Sequence, residues 1–199
     1  MIAQIEAQRI YSPEEYLEME SESEVRHEYI DGEIVPMAGA MPNHNRITRN
    51  LCTVMTNGLR GTDCEVFVAD QRLWIPRKRI YTYPDVIVVQ GELKLQEGRQ
   101  DTITNPLVIL EVLSESTQGH DRGNKFTAYR SIPDFQEYVL IDQYSVHVEH
   151  YAKVSARKWE FQEYEDLGDH LVFVSLKLEI LLAEIYDKVK FESGGSEFR

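Results

Sequence analysis

PDVIVV, residues 84–89, and LVILEVL, residues 107–113, decide how this chain folds. Both are unbroken runs of Val, Ile and Leu rather than an alternation of apolar and polar residues. That pattern predicts central strands buried on both faces of a sheet. Each run nevertheless carries one carboxylate, Asp85 at the start of the first and Glu111 near the end of the second. Two carboxylates on neighbouring buried strands are costly unless they are paired or hold a cation. A hard divalent cation such as Mg²⁺ is the economical partner, since it needs only one or two protein carboxylates beside waters and phosphate oxygens. Bound there, it would polarise a phosphoryl oxygen and activate water near neutral pH.

Outward from these runs, a helix is expected over 121–131 and is stopped by Ile132-Pro133. It opens with Asp121-Arg-Gly-Asn-Lys125, whose end residues share one face at four-residue spacing. Lys125 would point back towards the strand ends, where a fixed positive charge could stabilise a phosphoryl transition state. A surface Asp121–Lys125 ion pair is the plainer alternative. Upstream, Cys64 to Ile75 reads as a further β-rich run. Before it, Ile47, Leu51, Val54, Met55 and Leu59 recur at helical spacing, in a helix that follows the turn residues 39–43 and is ended by Gly58 and Gly61. Asp31-Gly32 between apolar pairs marks a hairpin. In SPEEYLEME, residues 12–20, Ser12, Pro13 and Glu15 form a capping box that opens a short acidic helix. Downstream come a buried strand at 137–142, a meander over 146–151, 159–164 and 171–176, and a last helix at about 178–190. The order predicts an α/β (α+β) layered sheet with helices on its faces, in a single domain over 1–190 followed by a disordered tail at 191–199.

Taken together, Pro84-Asp85, Glu111-Val-Leu-Ser114, Asp121 and Lys125 resemble the PD-(D/E)xK restriction-endonuclease-like superfamily. More closely, the chain from Tyr11-Ser-Pro-Glu-Glu-Tyr through Asp31-Gly32-Glu33, His44, Pro84-Asp85 and Glu111-Val-Leu-Ser114 is similar to the Uma family of endonucleases, over roughly residues 10–190. The resemblance implies a restriction-endonuclease-like αβββαβ core, with a mixed central sheet flanked by helices and extra strands at both ends. It implies Mg²⁺-dependent (or Mn²⁺-dependent) hydrolysis of phosphodiester bonds, with Asp85 and Glu111 as metal ligands and Lys125 as a catalytic group. The chain departs from the superfamily in one place: the position two after the glutamate, where the superfamily has lysine, is Leu113. The lysine has moved to Lys125 on the following helix, a migration that the Uma-type pattern shares.

His44 and Glu28 complete the candidate catalytic set. His44 lies at a helix start, where it could meet phosphate or water, although a helix-terminal His is more often structural. Glu28 could supply a third carboxylate, as an early glutamate does in relatives; a solvated strand edge explains it equally well. Gln71 either lines a cleft or marks a bulge. Ser114 and Tyr129 could hydrogen-bond the site, or serve only as cap and packing. Arg77-Lys78-Arg79 is the one compact basic cluster and could touch a phosphate backbone.

Net charge at first opposes a nucleic-acid partner, because the chain carries −13. The charge is segregated. Residues 1–33 hold ten acidic and two basic side chains, 160–199 ten and four, and 34–159 fourteen and fifteen, so the middle is free to meet phosphate. With only Cys52 and Cys64, neither a disulfide framework nor a zinc site is suggested. No signal peptide or transmembrane run is seen, and a cytoplasmic protein is expected. The leading expectation is a metal-dependent DNA endonuclease, for which two cuts on a duplex would make a homodimer natural. The alternatives are a catalytically weak or inactive nuclease-like module that binds nucleic acid or protein, and a metal-independent acid–base enzyme with two carboxylates.

Overall fold

The computed structural model describes residues 9–37, 39–115 and 118–191. Helix α1 (Pro13–Glu22) starts on the expected box: Ser12 Oγ accepts from the Glu15 amide at 3.1 Å, and Glu15 Oε2 accepts from the Ser12 amide at 2.8 Å. β1 (His27–Ile30) and β2 (Glu33–Pro36) then pair across Asp31-Gly32. Both turn residues have positive φ, 45° and 107°, which is why Asp-Gly stands there: the turn's twist then matches that of the strands.

The central sheet has six strands in the order β11-β10-β9-β8-β6-β3, where β3 is Cys64–Val68, β6 Val86–Gln90, β8 Val108–Leu113, β9 Glu137–Asp142, β10 Val148–Ser155 and β11 Lys158–Tyr164. β8 pairs antiparallel with β6 and parallel with β9. A parallel pair needs a crossover, and residues 118–129 supply it as α3 (Gln118–His120), a π-helical turn (Asp121–Lys125) and α4 (Phe126–Tyr129). Side-chain alternation divides the strands between two cores. Val86, Val88, Leu110 and Val112 meet Ile47, Leu51 and Met55 of α2 (Pro42–Gly58), whereas Ile87, Ile109, Leu113 and Tyr138 meet Ala128 and Tyr129 of the crossover. By the same parity Glu111 faces the crossover.

A second sheet, β2-β1-β5-β4-β7, contains β4 (Arg72–Ile75), β5 (Ile80–Thr82) and the short β7 (Thr102–Ile103). Tyr16, Tyr29 and Tyr81 pack α1 onto it. The run 64–75, expected as one β segment, is two strands in different sheets. The break is at Asp70, whose φ of 61° Asp tolerates better than most residues. Gln71 accordingly neither bulges a strand nor lines the cleft; its Nε2 donates to the carbonyl of Asp101 at 3.0 Å. With β4, β5 and β7 set aside as insertions, α2, β3, β6, β8, the crossover and β9 reproduce the αβββαβ order.

Of the expected meander, β10 and β11 pair antiparallel at the edge of the central sheet, whereas β12 (His170–Phe173) leaves that sheet for a separate two-stranded one. The expected helix at 178–190 is instead β13 (Leu178–Leu181), paired with β12, followed by only one turn of α5 (Leu182–Ile185). The segment Leu178-Glu-Ile-Leu carries apolar residues two apart, so its period fits a strand whose Ile180 is buried while Glu179 is exposed. Of the expected tail, residues 192–199 lie outside the described residues. Among the described residues no helix is long and apolar enough to cross a membrane.

Far from Glu111 along the β8–β9 pair, a buried ion pair anchors the start of β9. Glu137 Oε2 accepts from His150 Nε2 at 2.7 Å and Glu137 Oε1 from the Ser175 amide at 2.6 Å. Burial works against the carboxylate, but His150 and Ser175 outweigh it and hold the pKa of Glu137 below the ordinary glutamate value. The stabilisation is therefore complete above the unfolded value of about 4.3 and is lost as pH falls through the lower folded value. Glu137→Gln should lose roughly 1–3 kcal/mol in urea denaturation at neutral pH. The gap from the unmodified protein should narrow once the pH is well below that range, and a gap independent of pH would show that the ion pair is not its source.

Candidate functional site

The chain crosses from the second sheet to the central one over Thr82-Tyr83-Pro84-Asp85, between β5 and β6. At this crossing the carboxylates gather. Asp85 stands just before β6, and its Oδ2 accepts from the backbone amide of Val112 at 2.8 Å, one residue beyond Glu111. The same oxygen lies 3.3 Å from Nε2 of His44, in the first turn of α2. Burial opposes the charge of His44, but the hydrogen bond and negative charge of Asp85, reinforced by Asp121, raise its pKa above the ordinary imidazole value.

Deeper in, Lys125 Nζ lies 3.3 Å from Glu28 Oε1, 3.2 Å from Glu111 Oε1 and 3.1 Å from Asp121 Oδ1. Tyr129, one helical turn after Lys125, donates its hydroxyl to Glu111 Oε1 at 2.7 Å, and Thr82 Oγ1 donates to Glu28 Oε1. Tyr138 donates to the carbonyl of Asp121 at 3.2 Å. The contact between Asp121 and Lys125 is purely ionic, because Oδ1 is buried and takes no hydrogen bond.

The electrostatics follow from three carboxylates around one ammonium. Burial alone would depress Lys125, but Glu111, Glu28 and Asp121 together hold its pKa well above the ordinary lysine value, so it stays charged. Burial drives the Glu111 carboxyl upwards; Lys125 pulls it back, while Asp121 and Asp85 push it further up. One lysine shared among three acids cannot neutralise them all in a water-poor interior, and the Glu111 carboxyl, pushed up to about 8, answers by holding a proton near neutral pH, whose place a bound cation would take. The outer pair is more open: the Asp85 and His44 side chains are 20% and 18% exposed, against 5% for Glu111. A ligand would therefore approach from the Asp85–His44 side.

Asp85, Glu111, Lys125, His44 and Glu28 are thus brought into one connected network. Glu28 is not on a solvated edge, and the Asp121–Lys125 pair is not on the surface: the Asp121 side chain is 2% exposed. Tyr129 serves the network directly. The carbonyl of Ser114 accepts from the Gln118 amide and so caps the crossover. The basic cluster lies elsewhere, at the β4–β5 turn, where Arg79 is engaged by Tyr29 at 3.3 Å and Asp31 at 3.5 Å. Sequence reasoning missed Thr82 and Tyr138, and placed Asp121 in the motif with no role beyond a possible surface ion pair. For Asp121 the signal was present, since a helix face that must pack on a buried strand leaves no room for a solvated pair; for Thr82 there was none.

Replacing Lys125 with Met should strip these acids of their counter-charge and destabilise the fold by roughly 3–5 kcal/mol. Adding Glu28→Gln to that variant should recover part of the loss in urea denaturation. Additive losses would show that Glu28 and Lys125 do not act on each other.

Comparison with known proteins places the geometry in context. A family model, Uma2, described as "Putative restriction endonuclease", matches residues 13–182. Among curated proteins of Synechocystis sp., the chain is 43% identical over 170 residues to "Uncharacterized protein sll1609", covering 85% of this chain and 96% of the relative. It is 37% identical over 182 residues to "Uncharacterized protein slr1290", covering 90% and 93%. Among solved structures, a crystal structure of a "putative nuclease belonging to DUF820" from Anabaena variabilis superposes with a TM-score of 0.71 over 88% of this chain and 97% of that one, at 18% identity. A likeness at that identity speaks for the fold.

Proposed function

Because the chain belongs to the Uma2 family, we propose that it is a metal-dependent endonuclease that hydrolyses phosphodiester bonds in DNA, with Asp85 and Glu111 as the ligands of Mg²⁺ or Mn²⁺. The observation that carries this reading is the crowding of buried acids where β6 and β8 meet the crossover: burial and the neighbouring carboxylates raise the Glu111 carboxyl to about 8 when no cation is bound. Glu28, Glu111 and Asp121 share one ammonium, Asp85 lies beside them, and Asp121 Oδ1 has no hydrogen bond.

Among the described residues no three His, Cys, Asp or Glu side chains are disposed to hold a metal ion by themselves, and the three carboxylates that do meet converge on Lys125. That suits a hard cation which takes one or two carboxylates and leaves its other positions to water and phosphate; an ion needing a full protein cage would not fit. Such a cation supplies Lewis-acid polarisation of a phosphoryl oxygen and a more acidic water. The protein's own groups supply position and charge. Lys125 is a permanent cation whose place is fixed by Glu28, Glu111 and Asp121, suited to the charge that builds on a phosphoryl group. Tyr129 keeps its proton, because burial and the charges of Glu111 and Glu28 hold its pKa well above the ordinary tyrosine value, and it orients Glu111 by donating to it. His44 is held by Asp85 at the open side, where a phosphate would arrive.

The second reading is a non-catalytic module that binds nucleic acid or protein; the contacts of Glu28 and Glu111 with Lys125, and the bond of Asp85 to the amide next to Glu111, favour the endonuclease over it. For a duplex substrate, a symmetric dimer would present one site to each strand.

The decisive experiment incubates the purified protein with single- and double-stranded DNA in Mg²⁺ or Mn²⁺. Cleavage should appear with metal, stop with EDTA and be lost in Asp85→Ala. Either metal should also raise the melting temperature of the unmodified protein and leave that of Asp85→Ala unmoved. No cleavage with either metal, together with equal thermal shifts in both proteins, would overturn the proposal; cleavage that survives EDTA would point to metal-independent acid–base chemistry.

A further inference from the structure

An aromatic strip leads away from the site to the edge of the central sheet. Tyr138, Tyr151 and Phe161 are direct cross-strand partners on β9, β10 and β11. Phe126, which follows Lys125 in sequence, packs on the inner part of the strip, with ring centroids 5.4 Å from Tyr138, 4.6 Å from Tyr151 and 5.3 Å from Trp159, and Phe161 extends it at 4.9 Å from Tyr151. Burial falls along the strip, from Tyr138 in the core through half-buried Tyr151 and Trp159 to Phe161, which is 48% exposed.

Charge follows the same path. Residues 122–133 and 150–159 contain Arg122, Lys125, Arg130, Lys153, Arg157 and Lys158 and no Asp or Glu, in a chain whose net charge is −13. The segments meet in space, since Phe126 comes from the first and Tyr151 and Trp159 from the second. Exposed Arg130 lays its guanidinium over the Phe126 ring at 4.8 Å. Of these cations Arg122 pairs with Glu149 at 2.7 Å and Lys125 with the buried acids, which leaves Arg130, Lys153, Arg157 and Lys158. On the aromatic face of β11 Glu163 pairs with His147 at 3.2 Å, while Glu160 alternates to the opposite face. At the inner end, the hydroxyl of Tyr138 donates to the Asp121 carbonyl, so the strip runs into the wall of the site.

Cross-strand aromatic pairs also stabilise sheets, and a lone exposed aromatic is ordinary. Neither explains why positive charge collects along this ladder in an acidic protein. Aromatic faces interleaved with Arg and Lys are what an unpaired strand requires, since every base can stack and every phosphate needs a cation. We propose that this strip is a stacking platform for single-stranded nucleic acid, DNA or RNA, which feeds the strand towards Lys125. The destination rests on the nuclease reading; the binding does not.

The test uses the full chain in EDTA, so that no cleavage intervenes. Fluorescence anisotropy is measured with labelled oligo(dT), oligo(U) and a duplex of the same length. Single strands should bind more tightly than the duplex, and the stronger of the two homopolymers identifies DNA or RNA as the source. Phe161→Ala should weaken single-strand binding by roughly 5-fold or more with its melting temperature unchanged. Arg130→Gln should lower the slope of log Kd against log salt by about 0.7. Equal binding of the duplex, unchanged binding by Phe161→Ala, or no binding by the unmodified protein would each overturn the platform. A protein that binds in this way but never cuts DNA would retain the platform and sink the nuclease reading.

Discussion

One ammonium group held among three buried carboxylates is the constraint around which the rest of this molecule is arranged. Lys125 comes from the crossover, Glu111 from the centre of one sheet and Glu28 from the other, so a single side chain joins three layers of the fold. Such a cluster is electrostatically unfinished, because it holds more acids than its one cation can balance, and Glu111 is left with a raised pKa. Proteins seldom keep that imbalance in an interior without using it. Here Asp85 and His44 are the most open members of the network, at 20% and 18% exposed.

The fold explains how the cluster is held. β6 and β8 are buried on both faces, which makes them rigid carriers, and their parity sends Glu111 towards the crossover. The parallel pairing of β8 with β9 demands a connection across that face, and the helical segment 118–129 is that connection. β4 and β5 of the second sheet are inserted between β3 and β6, so the chain that leaves β5 delivers Thr82 and Asp85 to the same place. Positioning thus comes from topology more than from local sequence.

Much of this was legible in the residues. The apolar runs gave the central strands, the Ser12–Glu15 spacing gave the first cap, and Asp31-Gly32 gave the hairpin, because each is a local rule that no distant contact contradicts. What escaped was whatever depends on partners far away in the chain. The break at Asp70 sends β3 and β4 to different sheets, a choice made by pairing and not by propensity. β13 was mistaken for helix since four apolar residues in five satisfy either period, and only β12 decides between them. For the site, two carboxylates in apolar strands could be found by their cost alone. The burial of Asp121 and the reach of Thr82 could not, as both follow from how the two sheets meet.

The π-helical turn over Asp121–Lys125 makes helical phase itself a property of the site. An α-helix advances about 100° per residue, so removing one residue from that turn would swing Tyr129 off Glu111 and move Phe126 from its place above the sheet, while every side chain kept its identity. Two relatives could then agree at each aligned acid, lysine and aromatic and still differ in whether those groups meet. Divergence within such a family can proceed by insertion and deletion as readily as by substitution, and a comparison of residue types alone would not see it.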